Sequence, residues 1–420
     1  MSSKKQPVTA VVVGAGGRGM GYAEFAVEQP DRLRIVGVAE PKEYNRQYMK
    51  TTHKIPGENV FIDWKDLAAR PRMADAAIIA TQDAMHAEPA IALANQGYAI
   101  LLEKPMAPNE KDCERIVQAV KANPVLFAVC HVMRYTRYTQ MLKQVVDSGA
   151  IGEVVSIQHL EPVGYWHQAH SFVRGNWRNE KESSFMLLSK SCHDLDWLRY
   201  ILHEHCLSVS SFGSLKHFRK SQKPFEAGEA MRCLDCAYEP NCPYSARKIY
   251  LGRLERGDTL WPVGVLTPEP TVESVTEALR TGPYGRCVYE CDNDVVDHQV
   301  VNLWFEGDKS AVFTMTAFNQ AAHRKTRIFG TRGEIYGDGV TIECFDFLTD
   351  QFEVIDTERT DSSILGGHGG GDYGLMDSFV AAVAENNPAR ILSGPDESLE
   401  THRMVFAAER ARREHRVVDL

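Results

Sequence analysis

No run of the sequence approaches the ~20 uninterrupted apolar residues that a membrane-spanning helix needs. The opening segment Met1–Val8 has too few apolar residues for a secretory signal and leads directly into a hydrophobic strand. No membrane partner and a cytoplasmic location are therefore expected. Basic charge is in deficit: 47 Lys and Arg against 56 Asp and Glu leave a formal net charge of −9, which argues against a nucleic-acid partner. Internal repeats and low-complexity tracts are lacking. Ten cysteines spread over 420 residues, without a secretion signal, do not make a disulfide framework, and most should be reduced and buried.

What is present suits two folded domains, with 44% hydrophobic and 25% charged residues. Up to residue 132, short buried strands (Val8–Val13, Leu33–Ala39, Ala76–Ala80, Ala99–Leu102, Leu126–Cys130) alternate with helix-like segments. That alternation implies an α/β domain with a parallel sheet covered on both faces. From residue 133 to 420 longer alternating strands dominate, from Val154–Glu161 to Thr341–Val354, and the chain closes with helices Gly374–Glu385 and Ser398–Arg413. An α+β domain with an open, mainly antiparallel sheet is expected there, its closing helices packed back on it. Residues 217–290, rich in Pro, Gly, Cys and charge, read as an insertion tied down by something other than a core.

Gly14-Ala15-Gly16-Gly17-Arg18-Gly19-Met20 follows the first strand and opens a helix. Gly14 suits a tight turn, Gly16 and Gly17 admit a pyrophosphate close to the backbone, and Gly19 lets helix and strand pack closely. Glu40 ends the second strand, where a carboxylate receives the adenosine ribose hydroxyls and repels a 2′-phosphate. NAD is thus favoured over NADP, although Arg18 could accept that phosphate. Two more segments leave strand ends of the same sheet: Thr81-Gln82, with His86 beyond, and Glu103-Lys104 before Pro105.

With GAGGRG, AEP, ATQDAMH, LLEKP, HVMRY and SCHDLDWL in order, nearly the whole chain resembles the glucose–fructose oxidoreductase / inositol dehydrogenase (Gfo/Idh/MocA) family. The resemblance implies a Rossmann domain, a second domain often used to form homodimers or homotetramers, and oxidation or reduction of a sugar or cyclitol hydroxyl. It places Lys104 near the nicotinamide and the reacting hydroxyl. His193 and Asp196 fit the family's second motif, but Ser189 stands where an Asp is usual, with Lys190 after it. Lys190 or Tyr135 could take over the missing acid–base role.

His193, with an ordinary pKa near 6.5, suits general acid–base work, and Lys104 suits stabilising an alkoxide. Between His131 and His193 cations and aromatics interleave: Arg134, Arg137, Arg174, Arg178 and Lys190 with His167, His170, Tyr165, Trp166 and Trp177. His131, Tyr135, Trp166, His167, Arg174, Lys190 and His368 are candidate substrate contacts, and Trp177 and Arg178 candidate cofactor contacts. The cations suit an anionic sugar, or else they pair with Glu161, Glu180 and Glu182. The glycine-rich loop Gly366–Asp372 could bring His368 and Asp372 to the substrate, or could be a connector. Cys233, Cys236 and Cys242, with Cys287 as fourth ligand and Cys291 as the other choice, have spacing suited to structural zinc; buried thiols are the alternative. The reaction expected is NAD-dependent oxidation or reduction of a sugar hydroxyl. Its rival is an NAD-dependent glycosidase that oxidises, eliminates, adds water and reduces again.

Overall fold

The computed structural model describes residues 6–357 and 367–420, the side chain of His368 excepted. The first sheet has six parallel strands, β1 (Val8–Val13), β2 (Leu33–Ala39), β3 (Val60–Phe61), β4 (Ala76–Ile79), β5 (Ala99–Leu102) and β6 (Phe127–Val129), in the order β3-β2-β1-β4-β5-β6. Alternation of side chains along each strand splits its core in two. Val11, Val13, Ile79 and Leu102 pack with helices Ala87–Asn95 and Glu110–Ala122. Ala10, Val12, Ile78 and Leu101 pack on the other face, with Tyr22, Phe25 and four residues from far along the chain: Leu375, Met376, Phe379 and Val380. The helix Gly371–Glu385 thus completes the core of the first sheet. This differs from the expectation that the closing helices pack only on the second domain, because that helix carries the apolar stripe the first sheet needs.

The second sheet has nine strands: β7 (Val154–Pro162), β8 (Cys206–Ser214), β9 (His298–Phe305), β10 (Lys309–Thr316), β11 (Lys325–Gly330), β12 (Gly333–Gly337), β13 (Thr341–Asp346), β14 (Gln351–Asp356) and β15 (Val418–Asp419). Their order is β14-β13-β12-β11-β7-β10-β9-β8-β15, and only β7 and β10 run parallel. One face, with Ile157, Leu303, Phe313 and Ile335, packs with helices Met186–Leu202 and Pro395–Glu414 through Leu195, Leu198, Met404 and Ala408.

The insertion differs from the coreless segment the sequence suggests. Its helix Val272–Thr281, capped by Thr271 and Ser274, buries Val275 and Leu279 against Tyr250, Tyr289 and Phe218.

Candidate active site

The strand ends of the first sheet carry the site. Gly14 has φ +86°, and a Cβ there would lie 2.7 Å from the Ala80 carbonyl oxygen; one on Gly19 would lie 2.0 Å from that of Gly14. Only glycine satisfies either position. Beside Gly16 and Gly17 the space is open, as close approach of a pyrophosphate requires. Buried Glu40 accepts the Ala15 N–H at 2.7 Å and the Lys42 N–H at 2.8 Å, so its carboxylate sits against the glycine loop. The residues present therefore fit a dinucleotide.

Arg18 does not reach toward the ribose side. Its Nε donates to Glu103 Oε1 at 2.5 Å and its Nη2 to Asp372 Oδ1 at 2.6 Å, while Tyr22 also donates to Glu103 at 2.9 Å. Burial alone would raise the Glu103 pKa, but Arg18 and Lys104 hold it below the usual carboxylate range. Asp372, considered above for the substrate, instead ties the glycine loop to the helix Gly371–Glu385. His86 is a brace and not a cofactor contact: its buried ring faces the Pro105 carbonyl at 2.7 Å and that of Thr81 at 3.1 Å.

Lys104 leaves β5 and donates from Nζ to the Ser189 carbonyl at 2.8 Å. That carbonyl belongs to the helix Met186–Leu202, whose one non-helical residue is Ser191 (φ −120°, ψ 15°). The kink lies between Ser189 and buried His193, so the lysine from one domain meets the histidine's helix at the break. Next to Ser189, Lys190 pairs with Glu161 at 2.9 Å, and Arg324 pairs with Glu161 at 2.7 Å and Asp194 at 2.8 Å. Burial, reinforced by Lys190, keeps the His167 imidazole well below its ordinary pKa. Beside it, Trp166 and the insertion's Trp261 have ring centroids 5.2 Å apart, Trp261 lies 4.9 Å from His167, and Arg253 covers Trp166 at 4.1 Å.

Four of the expected substrate or cofactor contacts are placed elsewhere. The Tyr135 hydroxyl accepts the Leu392 N–H at 2.9 Å and bonds Ser393 Oγ at 3.0 Å, and burial pushes its pKa up to about 12. His131 is fully buried 3.6 Å from Asp196, and burial pushes it down to about 3. Arg174 turns toward the cysteines of the insertion. Arg178 is spent on Asp292, with both bonds at 3.0 Å, whereas Trp177 stays partly exposed. The side chain of His368 lies outside the described residues.

Sequence reasoning counted Arg134 among the cations without giving it a place at the site, and missed His402 and Arg324. Arg134 forms a buried two-bond pair with Asp196 at 2.7 Å, His402 accepts the Met106 N–H at 2.9 Å just beyond Pro105, and the partly buried Arg324 bridges Glu161 and Asp194. The acidic partner Asp196 was a signal for Arg134; nothing local marks the other two. Among the described residues, no three Cys, His, Asp or Glu side chains converge on a single-ion position, so the closed four-thiolate zinc site suggested by the spacing is not formed. Cys233, Cys236, Cys242 and Cys287 nevertheless line one cavity, while Cys291 donates to the Cys287 carbonyl at 3.2 Å and stays out of its wall. No described helix is long and apolar enough to cross a membrane.

Comparison with known proteins agrees with this architecture. A crystallised oxidoreductase from Agrobacterium radiobacter, in complex with NAD+, L-tartaric acid and magnesium, superposes with a TM-score of 0.70 at 14% identity, covering 99% of this chain and 98% of that one. The 2,7-anhydro-N-acetylneuraminate hydratase of Escherichia coli (strain K12) is 28% identical over 209 residues, 48% of this chain and 51% of the hydratase. The myo-inositol 2-dehydrogenase of Thermotoga maritima is 26% identical over 206 residues, 49% of this chain and 58% of that enzyme. The chain thus spans only about half the length of these two relatives. Residues 8–131 match the oxidoreductase family's NAD-binding Rossmann fold and residues 143–420 its C-terminal alpha/beta domain, and the chain belongs to the Gfo/Idh/MocA oxidoreductase family.

Proposed function

We propose that the chain oxidises or reduces a ring hydroxyl of a sugar derivative with NAD, Lys104 and His193 standing at the reacting oxygen. The meeting of Lys104 with the kinked helix of His193 carries this reading, because it joins a strand end of the NAD-binding domain to an acid–base group of the second domain. NAD, when bound, supplies the hydride acceptor or donor. Lys104 orients the hydroxyl and stabilises the alkoxide as it develops; His193 takes the proton and returns it in the reverse direction. Lys190 and Arg324, balanced by Glu161 and Asp194, offer N–H donors on their side of the site to an acidic or hydroxyl group of the sugar, with Trp166 and Trp261 facing the ring. NAD is preferred over NADP, because Glu40 repels a 2′-phosphate while Arg18 is held by Glu103 and Asp372. The proposed division is residues 1–132 for the cofactor and 133–420 for substrate. Phe212, Trp304 and Phe352 on the outer face of the second sheet favour a homodimer or homotetramer.

A second reading is a redox-neutral cycle that oxidises, eliminates, adds water and reduces again, as an NAD-dependent glycosidase or hydratase. The likeness to an anhydro-sugar hydratase favours it, and so does Lys190 following the position of the usual Asp. Lys190 and His193 would be its bases. Purified protein with NAD and a panel of neutral sugars, acidic sugars and aryl glycosides separates the two. NADH rising with substrate supports the dehydrogenase; aglycone released over many turnovers without net NADH, yet strictly requiring NAD, supports the cycle. Neither signal with any of these compounds would overturn both.

A further inference from the structure

The insertion reaches the candidate site through Trp261, and one reacting ring does not account for how much of that indole stays bare. Trp261 is 47% exposed, although Pro262 and Val263 after it are buried and Val263 belongs to the insertion's core. The loop is tied down on both sides of the indole. Asp258 accepts the Leu260 N–H at 3.2 Å and pairs with Arg253 at 3.1 Å, and the Gly264 N–H donates to the Leu260 carbonyl at 2.8 Å. His167 and His170 hold the indole nearly perpendicular to their own rings, at 79° and 89°. A large aromatic ring fixed in place yet half in water forgoes the stabilisation that burial would bring, as binding surfaces do.

What lies beside the indole says what covers it. His167, 4.9 Å away, feels the charge of Lys190, and Lys190 follows Ser189, whose carbonyl holds Lys104. The bare indole is therefore continuous with the place of the reacting hydroxyl. Next to it Arg253 covers the Trp166 ring at 4.1 Å, and Lys248 lies 5.5 Å from that of Tyr165. Aromatic planes with N–H donors at their edge match a pyranose, which offers a C–H face for packing and a rim of hydroxyls for hydrogen bonds. A protein partner would need about 800 Å² on this side, far more than one half-bare indole supplies. We infer that Trp261 is the platform of a second sugar subsite, so that the substrate is a glycoside: one ring stands at Lys104 and His193, and the next packs on the indole. The inference rests on the proposed function and holds whether the glycoside is oxidised or cleaved. Residues 217–290 then select the length of the substrate.

The test is calorimetric titration of the full-length protein, saturated with NAD, using glucose, galactose, N-acetylglucosamine and glucuronic acid. Each is compared with its methyl glycoside and with disaccharides in which it is the terminal ring. For the sugar that binds, a disaccharide should bind about 3–10-fold more tightly than the monosaccharide and its methyl glycoside, the gain expected of one stacked ring. Trp261→Ala should bring that ratio close to one, whatever it does to the monosaccharide itself, and Trp261→Phe should keep part of it. Equal affinity for monosaccharide and disaccharide in wild type overturns the inference whether or not the variants fold, and so does a preference that survives in folded Trp261→Ala. Turnover of a monosaccharide alongside such equality leaves the proposed function standing without the second subsite, whereas no binding of any of these sugars overturns both.

Discussion

Removing one carboxylate tests where the cofactor's ribose lies. In Glu40→Ala the N–H groups of Ala15 and Lys42 lose acceptors at 2.7 and 2.8 Å, and a bound NAD loses the acceptor for its ribose hydroxyls. A hydrogen bond to a charged group contributes about 1.5–3 kcal/mol, so NAD affinity should fall roughly 10–100-fold. NADP should respond in the opposite direction. A carboxylate and one phosphate charge about 5 Å apart repel by about 3 kcal/mol at an effective dielectric near 20. Even half of that, after screening by salt, raises NADP affinity about tenfold. The NAD-to-NADP preference should therefore shift by about 100-fold or more, read by calorimetric titration of both cofactors at fixed salt. An unchanged ratio, with the variant's Tm preserved, would show that Glu40 does not face the ribose.

Lys104→Met should lower kcat about 100- to 1,000-fold with little change in NAD affinity, since a removed transition-state donor costs that much; wild-type turnover would overturn its role. Tyr135→Phe should cost stability, about 1 kcal/mol for its bonds to Ser393 and Leu392, and should leave the pH profile of turnover unchanged. A lost basic limb in that profile would restore Tyr135 as a catalytic group. Burial holds His131 near 3 and His402 near 4 against an ordinary 6.5, so the folded chain keeps both neutral while the unfolded chain protonates them. This contribution is complete above about pH 6.5 and is lost as pH falls toward 4, by about 1.4 kcal/mol per pH unit for each histidine. Urea midpoints measured from pH 7 to 5 should drop accordingly, and more shallowly in His402→Gln; a flat profile in wild type would refute it.

Local signals explain what could be read in advance. β1, β2 and β5 were legible because runs such as Val8–Val13 are bounded by glycine or acidic turns, and the strand-end motifs located Gly14, Glu40 and Lys104. The stretch Thr341–Val354 read as one strand but forms the hairpin of β13 and β14, turning where Asp350 takes a positive φ without a glycine to mark it. Arg178 pairs with Glu182, four residues on, as the alternative reading of the cations had it, and also with Asp292, 114 residues away; the partners of Tyr135 lie 257 residues or more away, a distance over which no pattern in the sequence speaks. The four cysteines were found by spacing alone, yet the guanidinium they surround comes from Arg174 in a separate segment.

The helix Gly371–Glu385 has a consequence for how the chain is made. Leu375, Met376, Phe379 and Val380 bury against strands that begin at Val8, and each such side chain contributes about 1.5–3 kcal/mol. A nascent chain therefore leaves the ribosome with one side of its nucleotide-binding half still bare until almost all of the remainder has been translated. Vectorial, domain-by-domain folding is closed to this half, which has to wait for the other or be shielded by a chaperone. A gene fragment ending near residue 135 should yield an aggregating polypeptide, and supplying the missing helix as a separate peptide should rescue it.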